Sequence, residues 1–130
     1  MLVGERMTKN PVTVGPHDTL AAADAKMRAG NFRRLPVLDE GKLVGILSQY
    51  DLKDYSGRLD SFSVKAAMTP RPVTVSSSAT LEHAISRLSR HKIGALPVVD
   101  RGKLVGIITA ADLLIPEPQP LPEWIPRGGR

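Results

Sequence analysis

Residues 41–52 are GKLVGILSQYDL, and residues 102–113 are GKLVGIITAADL. Both stretches begin with the same six residues and end in Asp-Leu, and a hydroxyl residue lies three positions before the aspartate. They are 61 positions apart (102 minus 41), and at this offset residues 7–52 align with residues 68–113 with 21 of 46 positions identical. This level of identity in one unbroken register indicates an internal duplication, so the fold is built twice from one unit.

Each unit begins with the run VTV, at residues 12–14 and 73–75, which predicts a short β-strand. A helix over about residues 19–30 follows, because its apolar residues recur at helical spacing, and the second unit repeats the pattern. The candidate helix caps are Asp18 or Thr19 in the first unit and Ser78 or Thr80 in the second.

Two more strands follow the helix. Residues 35–38 and 43–47 flank the turn Asp-Glu-Gly-Lys, which predicts a β-hairpin. A last helix is expected to begin at Ser48 in the first unit and at Thr109 in the second. The unit is therefore β-α-β-β-α. Since one such unit leaves a sheet face uncovered, we predict an α+β (α/β) fold in which two units pack with pseudo-twofold symmetry.

The predicted division is residues 1–56 for the first repeat, 57–114 for the second and 115–130 for a proline-rich tail. Five prolines in the tail exclude a helix and favour extended structure. The tail is either a disordered end or an arm in which Trp124 docks on this or another subunit.

Composition excludes several classes of protein. The chain has no cysteine, a net charge of +5 and no apolar run long enough to span a bilayer, so we expect a cytoplasmic protein without membrane association. The charge permits polyanion binding, but the basic residues are scattered, so nucleic acid is not expected as a partner. No phosphate-binding loop, nucleophile elbow or clustered metal ligands occur, so we expect neither an enzyme nor a metal protein.

The joint order of these motifs resembles the cystathionine β-synthase (CBS) domain, and two in tandem resemble a CBS pair, or Bateman module. The resemblance covers about residues 2–114. It implies a regulatory protein that binds an adenosyl ligand, such as AMP, ADP, ATP or S-adenosylmethionine, in clefts between the repeats. It also implies a disc-like homodimer. In related domains the aspartate accepts hydrogen bonds from ribose hydroxyls and the hydroxyl residue reaches ribose or phosphate. These roles fall on Ser48 and Asp51, and on Thr109 and Asp112.

The same spacing has a second interpretation. Ser48 and Asp51, like Thr109 and Asp112, have the separation of a capping box, in which the two side chains satisfy free N–H groups of their own helix. Spacing alone favours capping, whereas the repeat and the resemblance favour ligand binding. Both roles are compatible if the hydroxyl caps the helix when the cleft is empty.

The phosphate end is expected to differ between the two sites. Arg33 and Arg34 precede the Leu-Pro strand, where related domains often place cations, and the second unit has Gly94 and Ala95 there. The arginines would grip phosphate in a site with Ser48 and Asp51, or else they are solvated cations beyond a helix C-terminus. By the resemblance, four residues approach the adenine: Thr13, Val14, Thr74 and Val75.

The sequence therefore predicts a free-standing regulatory protein that requires no cofactor, binds an adenosyl ligand and signals to an unidentified partner protein. The alternative is an interaction or dimerisation scaffold whose clefts are vestigial.

Overall fold

The computed structural model describes residues 1–114. The predictions about the proline-rich tail and Trp124 concern residues 115–130 and lie outside the described range. Within residues 1–114, no helix is long and apolar enough to cross a membrane.

The described chain contains two series of elements that match the predicted order β-α-β-β-α. The first is α1 Val3–Arg6, β1 Thr8–Lys9, α2 Leu20–Gly30, β2 Arg34–Asp39, β3 Lys42–Ser48 and a 3₁₀ helix Gln49–Tyr55. The second is α3 Val64–Ala67, β4 Thr69–Pro70, α4 Leu81–His91, β5 Ala95–Asp100, β6 Lys103–Thr109 and α5 Ala110–Leu113. The predicted fold class is confirmed. The short helices α1 and α3 were not predicted.

Threonines cap the two long helices. Thr19 Oγ1 accepts a hydrogen bond from the backbone N–H of Ala22 at 3.0 Å, and Thr80 does the same for His83 at 3.1 Å. Of the predicted alternatives, the threonine is thus the cap in each repeat. The side of α2 that carries Leu20 is buried against the sheet, as the apolar spacing predicted.

The two hairpins form as predicted, and each belongs to a separate three-stranded sheet. The strand order is β2-β3-β4 in one sheet and β1-β6-β5 in the other. The third strand of each sheet therefore comes from the opposite repeat: β4 pairs with β3, and β1 pairs with β6.

The VTV runs do not form strands. Val14 makes one parallel bridge to Val37, and Val75 makes one to Val98. Within residues 1–114, Val14 and Val75 are the only residues of these runs whose N–H and carbonyl bond a neighbouring strand, so neither run extends into a ladder. The first strand of each repeat is instead the two-residue segment that lies earlier in the chain and crosses to the other sheet.

The pairing of β1 with β6 and of β4 with β3 exchanges short strands between the repeats. This exchange also completes the two hydrophobic cores. Val64, from the start of the second repeat, is fully buried in the core of the first sheet, and Val3 is fully buried in the core of the second. Backbone bonds hold both segments: the N–H of Val3 donates to the carbonyl of Ala79 at 2.8 Å, and the N–H of Val64 donates to that of Asp18 at 2.8 Å. Each core thus depends on residues from both repeats.

The second glycine of each GKLVGI copy, Gly45 and Gly106, permits the incoming strand to lie close to the sheet. A Cβ on Gly106 would lie 2.4 Å from Met7 Sδ and 2.8 Å from the carbonyl oxygen of Thr8. A Cβ on Gly45 would meet Met68 and Thr69 in the same way. Since the second contact in each case is backbone, rotation of the methionine alone cannot relieve it.

We therefore expect Gly106→Ala to destabilise the protein by about 1–3 kcal/mol, the usual cost of forcing extra atoms into a packed site. Urea and thermal unfolding followed by circular dichroism would measure the change. Gly15→Ala is the matched control, because its Cβ would make only ordinary contacts, at 3.6 Å from Asp18. Equal stability of the two variants would contradict the proposed role of the glycine.

A side-chain cluster found only in the second repeat holds the loop on which α1 docks. The carboxylate of Asp100 accepts hydrogen bonds from the hydroxyl and the N–H of Ser77 and from the hydroxyl of Ser76. The carbonyl of Ser77 in turn accepts a bond from the N–H of Gly4 at 2.8 Å. These bonds, with Ser77 contributing most, hold the pKa of Asp100 below its ordinary value of 3.8.

A lowered pKa means that Asp100 stabilises the fold above pH 3.8 and that this contribution is lost as the pH falls through the folded-state pKa. We expect Asp100→Asn to be less stable than the wild type at pH 7, and the difference to shrink below pH 3.8. Denaturant unfolding at pH 7 and at stepwise lower pH measures this. Asp39→Asn, at the equivalent exposed position of the first repeat, should show little difference at any pH.

Candidate functional site

Two clefts lie between the repeats, each at the mouth of a final helix. The first, here the Asp51 cleft, has a volume of about 350 Å³. It is lined by Arg34, Ile46, Ser48, Tyr50, Asp51, Thr69, Arg71, Pro72, Val73, Ile93, Gly94 and Ala95. Residues of both repeats therefore build it.

The second, here the Asp112 cleft, has a volume of about 320 Å³. It is lined by Thr8, Asn10, Pro11, Val12, Phe32, Arg33, Arg34, Ile107, Thr109 and Asp112. Each of these residues has its counterpart, 61 positions away, in the lining of the Asp51 cleft. The two clefts are thus related by the internal pseudo-symmetry, and the predicted Ser/Thr and Asp pairs each line one of them.

The capping box is present in the Asp51 cleft. The N–H of Ser48 donates to Asp51 Oδ2 at 2.8 Å, and the N–H of Asp51 donates to Ser48 Oγ at 3.2 Å. These bonds fix the half-buried carboxylate at the start of the 3₁₀ helix.

The same arrangement recurs in the Asp112 cleft. The N–H of Thr109 donates to Asp112 Oδ2 at 2.9 Å, and the Thr109 hydroxyl contacts the same oxygen at 3.0 Å. Within residues 1–114, the other carboxylate oxygen, Oδ1, accepts no hydrogen bond in either aspartate. Capping therefore uses one oxygen of each carboxylate and leaves the other available to a ligand.

A backbone bond fixes each final helix relative to the strand hairpin. The N–H of Gln49 donates to the carbonyl of Arg33 at 2.7 Å, and the N–H of Ala110 donates to that of Gly94 at 2.9 Å. The mouth of each helix is therefore attached to the segment that precedes β2 or β5, and this segment also lines a cleft.

The two arginines predicted at the phosphate end differ in the clefts that they line. Arg33 and Arg34 line the Asp112 cleft, and Arg34 also lines the Asp51 cleft. A Cβ on Gly94 would lie 2.5 Å from Nη2 of Arg34, so this guanidinium reaches across to the second repeat. Of the two arginines predicted to act with Ser48 and Asp51, Arg34 lines their cleft and Arg33 does not, and contact of either with a phosphate stays a prediction.

The four residues expected near adenine lie outside the linings of the two clefts. Val14 and Val75 are buried core residues, and each uses its N–H and its carbonyl in the parallel bridge to the neighbouring strand. Thr13 and Thr74 are half-buried. The residues that line the clefts are the preceding valines of the two runs, and contact between the four predicted residues and a ligand stays a prediction.

Sequence reasoning missed Arg71, which lines the Asp51 cleft beside Pro72. Its counterpart in the Asp112 cleft is Asn10, and both have a left-handed backbone with φ of 49°. The sequence signal that could have indicated this cation is its position, directly before the duplicated Pro-Val. The clefts thus carry cations at different positions: Arg71 is specific to the first, and Arg33 to the second.

The described residues contain no group of three or more His, Cys, Asp or Glu side chains that could hold a metal ion. The three histidines are exposed. A metal centre therefore has no candidate ligand set in residues 1–114.

The family model for the CBS domain matches the chain twice, over residues 3–58 and 64–115. Inosine-5'-monophosphate dehydrogenase of Korarchaeum cryptofilum is 37% identical over 113 residues, which are 86% of this chain and 23% of that enzyme. The chain thus spans less than a quarter of the length of this relative.

Solved structures show the same architecture. CBSX2, a CBS-pair protein from Arabidopsis thaliana, in complex with AMP, matches with 34% identity and a TM-score of 0.77 over 86% of this chain and 92% of that chain. The CBS domain pair of MJ0100, in complex with 5'-methylthioadenosine and S-adenosyl-L-methionine, matches with 28% identity and a TM-score of 0.80 over 87% and 92%.

The caps should matter for stability even without a ligand. We expect Thr109→Ala to cost about 0.5–2 kcal/mol of unfolding free energy, because it removes the hydroxyl that accepts the Asp112 N–H. Denaturant unfolding of the ligand-free protein measures it. Ser86→Ala, at an exposed position inside α4, should be neutral or slightly stabilising, since alanine favours helix. Unchanged stability of Thr109→Ala would mean that the cap contributes nothing.

Proposed function

The chain belongs to the CBS-domain family as a tandem pair, and from this premise we propose that it is a regulatory module that binds an adenosyl ligand in the Asp51 and Asp112 clefts. The observation that carries the proposal is the carboxylate held by its capping box in each cleft with one oxygen unused. An ionised carboxylate accepts hydrogen bonds from the two hydroxyls of a ribose, so this fixed oxygen has a suitable partner in any adenosyl compound.

The remaining lining suits the other parts of such a ligand. Ile46, Pro72, Val73 and Ile93 give the Asp51 cleft an apolar side on which a base can stack. Arg71 and Arg34 supply positive charge for a phosphate. The volume of about 350 Å³ is at the lower end of the range for small-molecule sites.

The solved relatives support this class of ligand. CBSX2 was solved with AMP, and the MJ0100 pair with 5'-methylthioadenosine and S-adenosyl-L-methionine. All three compounds carry adenine on a ribose, the part that the aspartates would recognise. They differ in charge beyond the ribose, and there the two clefts also differ, with Arg71 in one and Arg33 in the other.

Ligand binding would act on the relation between the two repeats. Because each cleft has walls from both repeats, a ligand that fits one arrangement of the walls better than another shifts the population towards it. In this proposal a partner protein recognises that arrangement, and the module forms a homodimer as the resemblance implies. The ligand is regulatory, and no cofactor or catalytic step is involved.

A scaffold or dimerisation function is the second candidate, and exposed apolar side chains favour it. Ile85 and Leu114 of the second repeat are 48% and 81% exposed, and neither lines the Asp51 cleft or the Asp112 cleft. The first-repeat counterparts of Ile85 and Leu114 are Asp24 and Lys53, so this face is apolar in one repeat only. An interaction through it would be independent of the two aspartates.

Binding experiments separate the two functions. We expect AMP, ADP, ATP or S-adenosylmethionine to raise the melting temperature, since a ligand at a hundred times its dissociation constant adds about 2.7 kcal/mol. Asp51→Asn and Asp112→Asn should each weaken one site by about tenfold in isothermal titration calorimetry, because a charged acceptor is lost while the shape is kept.

Asp39→Asn, at the exposed end of β2 and outside the linings of both clefts, should bind as the wild type does. The absence of any thermal shift with all four compounds at millimolar concentration would refute the ligand-binding function and leave the scaffold.

A further inference from the structure

An apolar hollow of about 300 Å³ lies between α4 and α5 of the second repeat. Six of its seven lining residues are apolar, and they include Ile85, Leu88, Leu113 and Leu114. Ile85 and Leu114 are exposed, although both side chains are large and apolar. Leu114 is also the residue from which the proline-rich tail, residues 115–130, continues, so the tail starts at the wall of the hollow.

The equivalent surface of the first repeat is charged. Four lining residues of the hollow have polar or charged counterparts 61 positions earlier, namely Asp24, Arg28, Gln49 and Lys53. Asp24 Oδ2 and Arg28 Nε form an ion pair at 2.9 Å on that surface. The apolar face is therefore a property of the repeat that the tail follows.

The chain that follows the final helix of the first repeat shows one course for such a segment. Residues 59–62 return to the start of α2, where the carbonyls of Leu59 and Phe62 accept hydrogen bonds from the backbone of α2 at 3.0 and 2.9 Å. Leu59 and Phe62 pack on the first core, in which Leu52 is only 6% exposed. Leu113, the counterpart of Leu52, is half-buried. In the second repeat the tail follows the final helix as that segment does in the first.

The composition of the tail complements the hollow. Residues 115–125 combine apolar side chains with two carboxylates and contain no cation: the apolar residues other than proline are Ile115, Leu121, Trp124 and Ile125, and the acids are Glu117 and Glu123. The exposed cations Arg90 and Lys92 closely follow Ser89 of the hollow in the chain and, within residues 1–114, form no ion pair. An apolar segment with negative charges therefore matches an apolar surface with positive neighbours.

The tail has the length and the stiffness that docking requires. A polyproline segment advances about 3.1 Å per residue, so the ten residues from Leu114 to Trp124 extend up to about 31 Å. The 11-residue helix α4 is about 16 Å long, and Trp124 can therefore reach any point along it. Five prolines limit the conformations of the free tail, which lowers the entropy lost on docking. The covalent connection also gives the tail a high effective concentration at the hollow.

We propose that the apolar hollow is the docking site of the chain's own tail, in which residues 115–125 pack along α4 with Trp124 against Ile85 and the two carboxylates towards Arg90 and Lys92. This inference goes beyond the ligand-binding function and does not depend on it. It assigns to the tail the apolar face on which a scaffold would bind another protein. That face is then available to a partner only when the tail is displaced.

Trp124 is the only tryptophan of the chain, so its fluorescence reports the docking. For the ligand-free full chain we expect an emission that is blue-shifted from that of the urea-unfolded protein, weakly quenched by acrylamide and independent of protein concentration. Ile85→Asp introduces the residue type that the first repeat has at this position. It should shift the emission towards that of the unfolded chain while the circular dichroism stays unchanged. Ser86→Asp adds the same charge at the next exposed position, outside the hollow, and should behave as the wild type does.

A second variant tests the charges without altering the apolar lining, and it decides the case if Ile85→Asp disturbs α4. Arg90→Glu reverses a charge beside the hollow and should shift the Trp124 emission to the red at low ionic strength. The shift should shrink as salt is added, because salt screens the repulsion between exposed carboxylates. Lys103→Glu makes the same reversal at the exposed start of β6 and should leave the emission unchanged.

Three results would overturn the proposal. A wild-type emission equal to that of the unfolded chain would mean that the tail is not docked. An unchanged emission in a folded Ile85→Asp variant would mean that Trp124 is buried elsewhere. An emission that shifts to the red on dilution, with a dimer in sedimentation velocity that Ile85→Asp dissociates, would mean that a second copy occupies the hollow. None of these results bears on the ligand-binding function, because no ligand is present.

Discussion

The pairing of each two-residue strand with the sheet of the opposite repeat is the interaction from which the other features follow. When β1 pairs with β6, it carries Met7 and Val3 into the second core and leaves the next residues, Asn10 to Val12, facing Asp112. The pairing of β4 with β3 does the same on the other side. The clefts are therefore a geometric result of the exchange, since each contains the final helix of one repeat and the incoming segment of the other.

Stability and recognition share the same atoms at the mouth of each final helix. The capping box holds Asp51 and Asp112 through one carboxylate oxygen, which fixes the direction of the second oxygen before any ligand arrives. A fixed acceptor loses little conformational entropy on binding, and this favours affinity. The helix cap is thus also the means by which an acceptor is held ready.

Local features of the sequence were sufficient for much of the fold. The helices α2 and α4, their threonine caps and both hairpins are specified by residues within a few positions of one another, and the duplication at 61 residues predicted them twice. The exchange was not predicted, because Thr8–Lys9 and Thr69–Pro70 are too short to show a strand periodicity. The sequence could not assign Arg33 and Arg34 to particular clefts for a related reason: which cleft a loop faces depends on the packing between repeats, which no local pattern encodes.

The exchanged strands have a consequence for how such a protein could arise. A chain with one repeat would lack the valine that fills its core and would leave a sheet edge unpaired, and only a second copy could supply both. Two identical copies would complete each other's core and sheet edge, and the resulting symmetric pair would have two identical clefts. Joining the copies in one polypeptide removed that constraint, because each half could then change alone. Arginine at position 33 opposite glycine at position 94 is a difference that a symmetric ancestor could not have held.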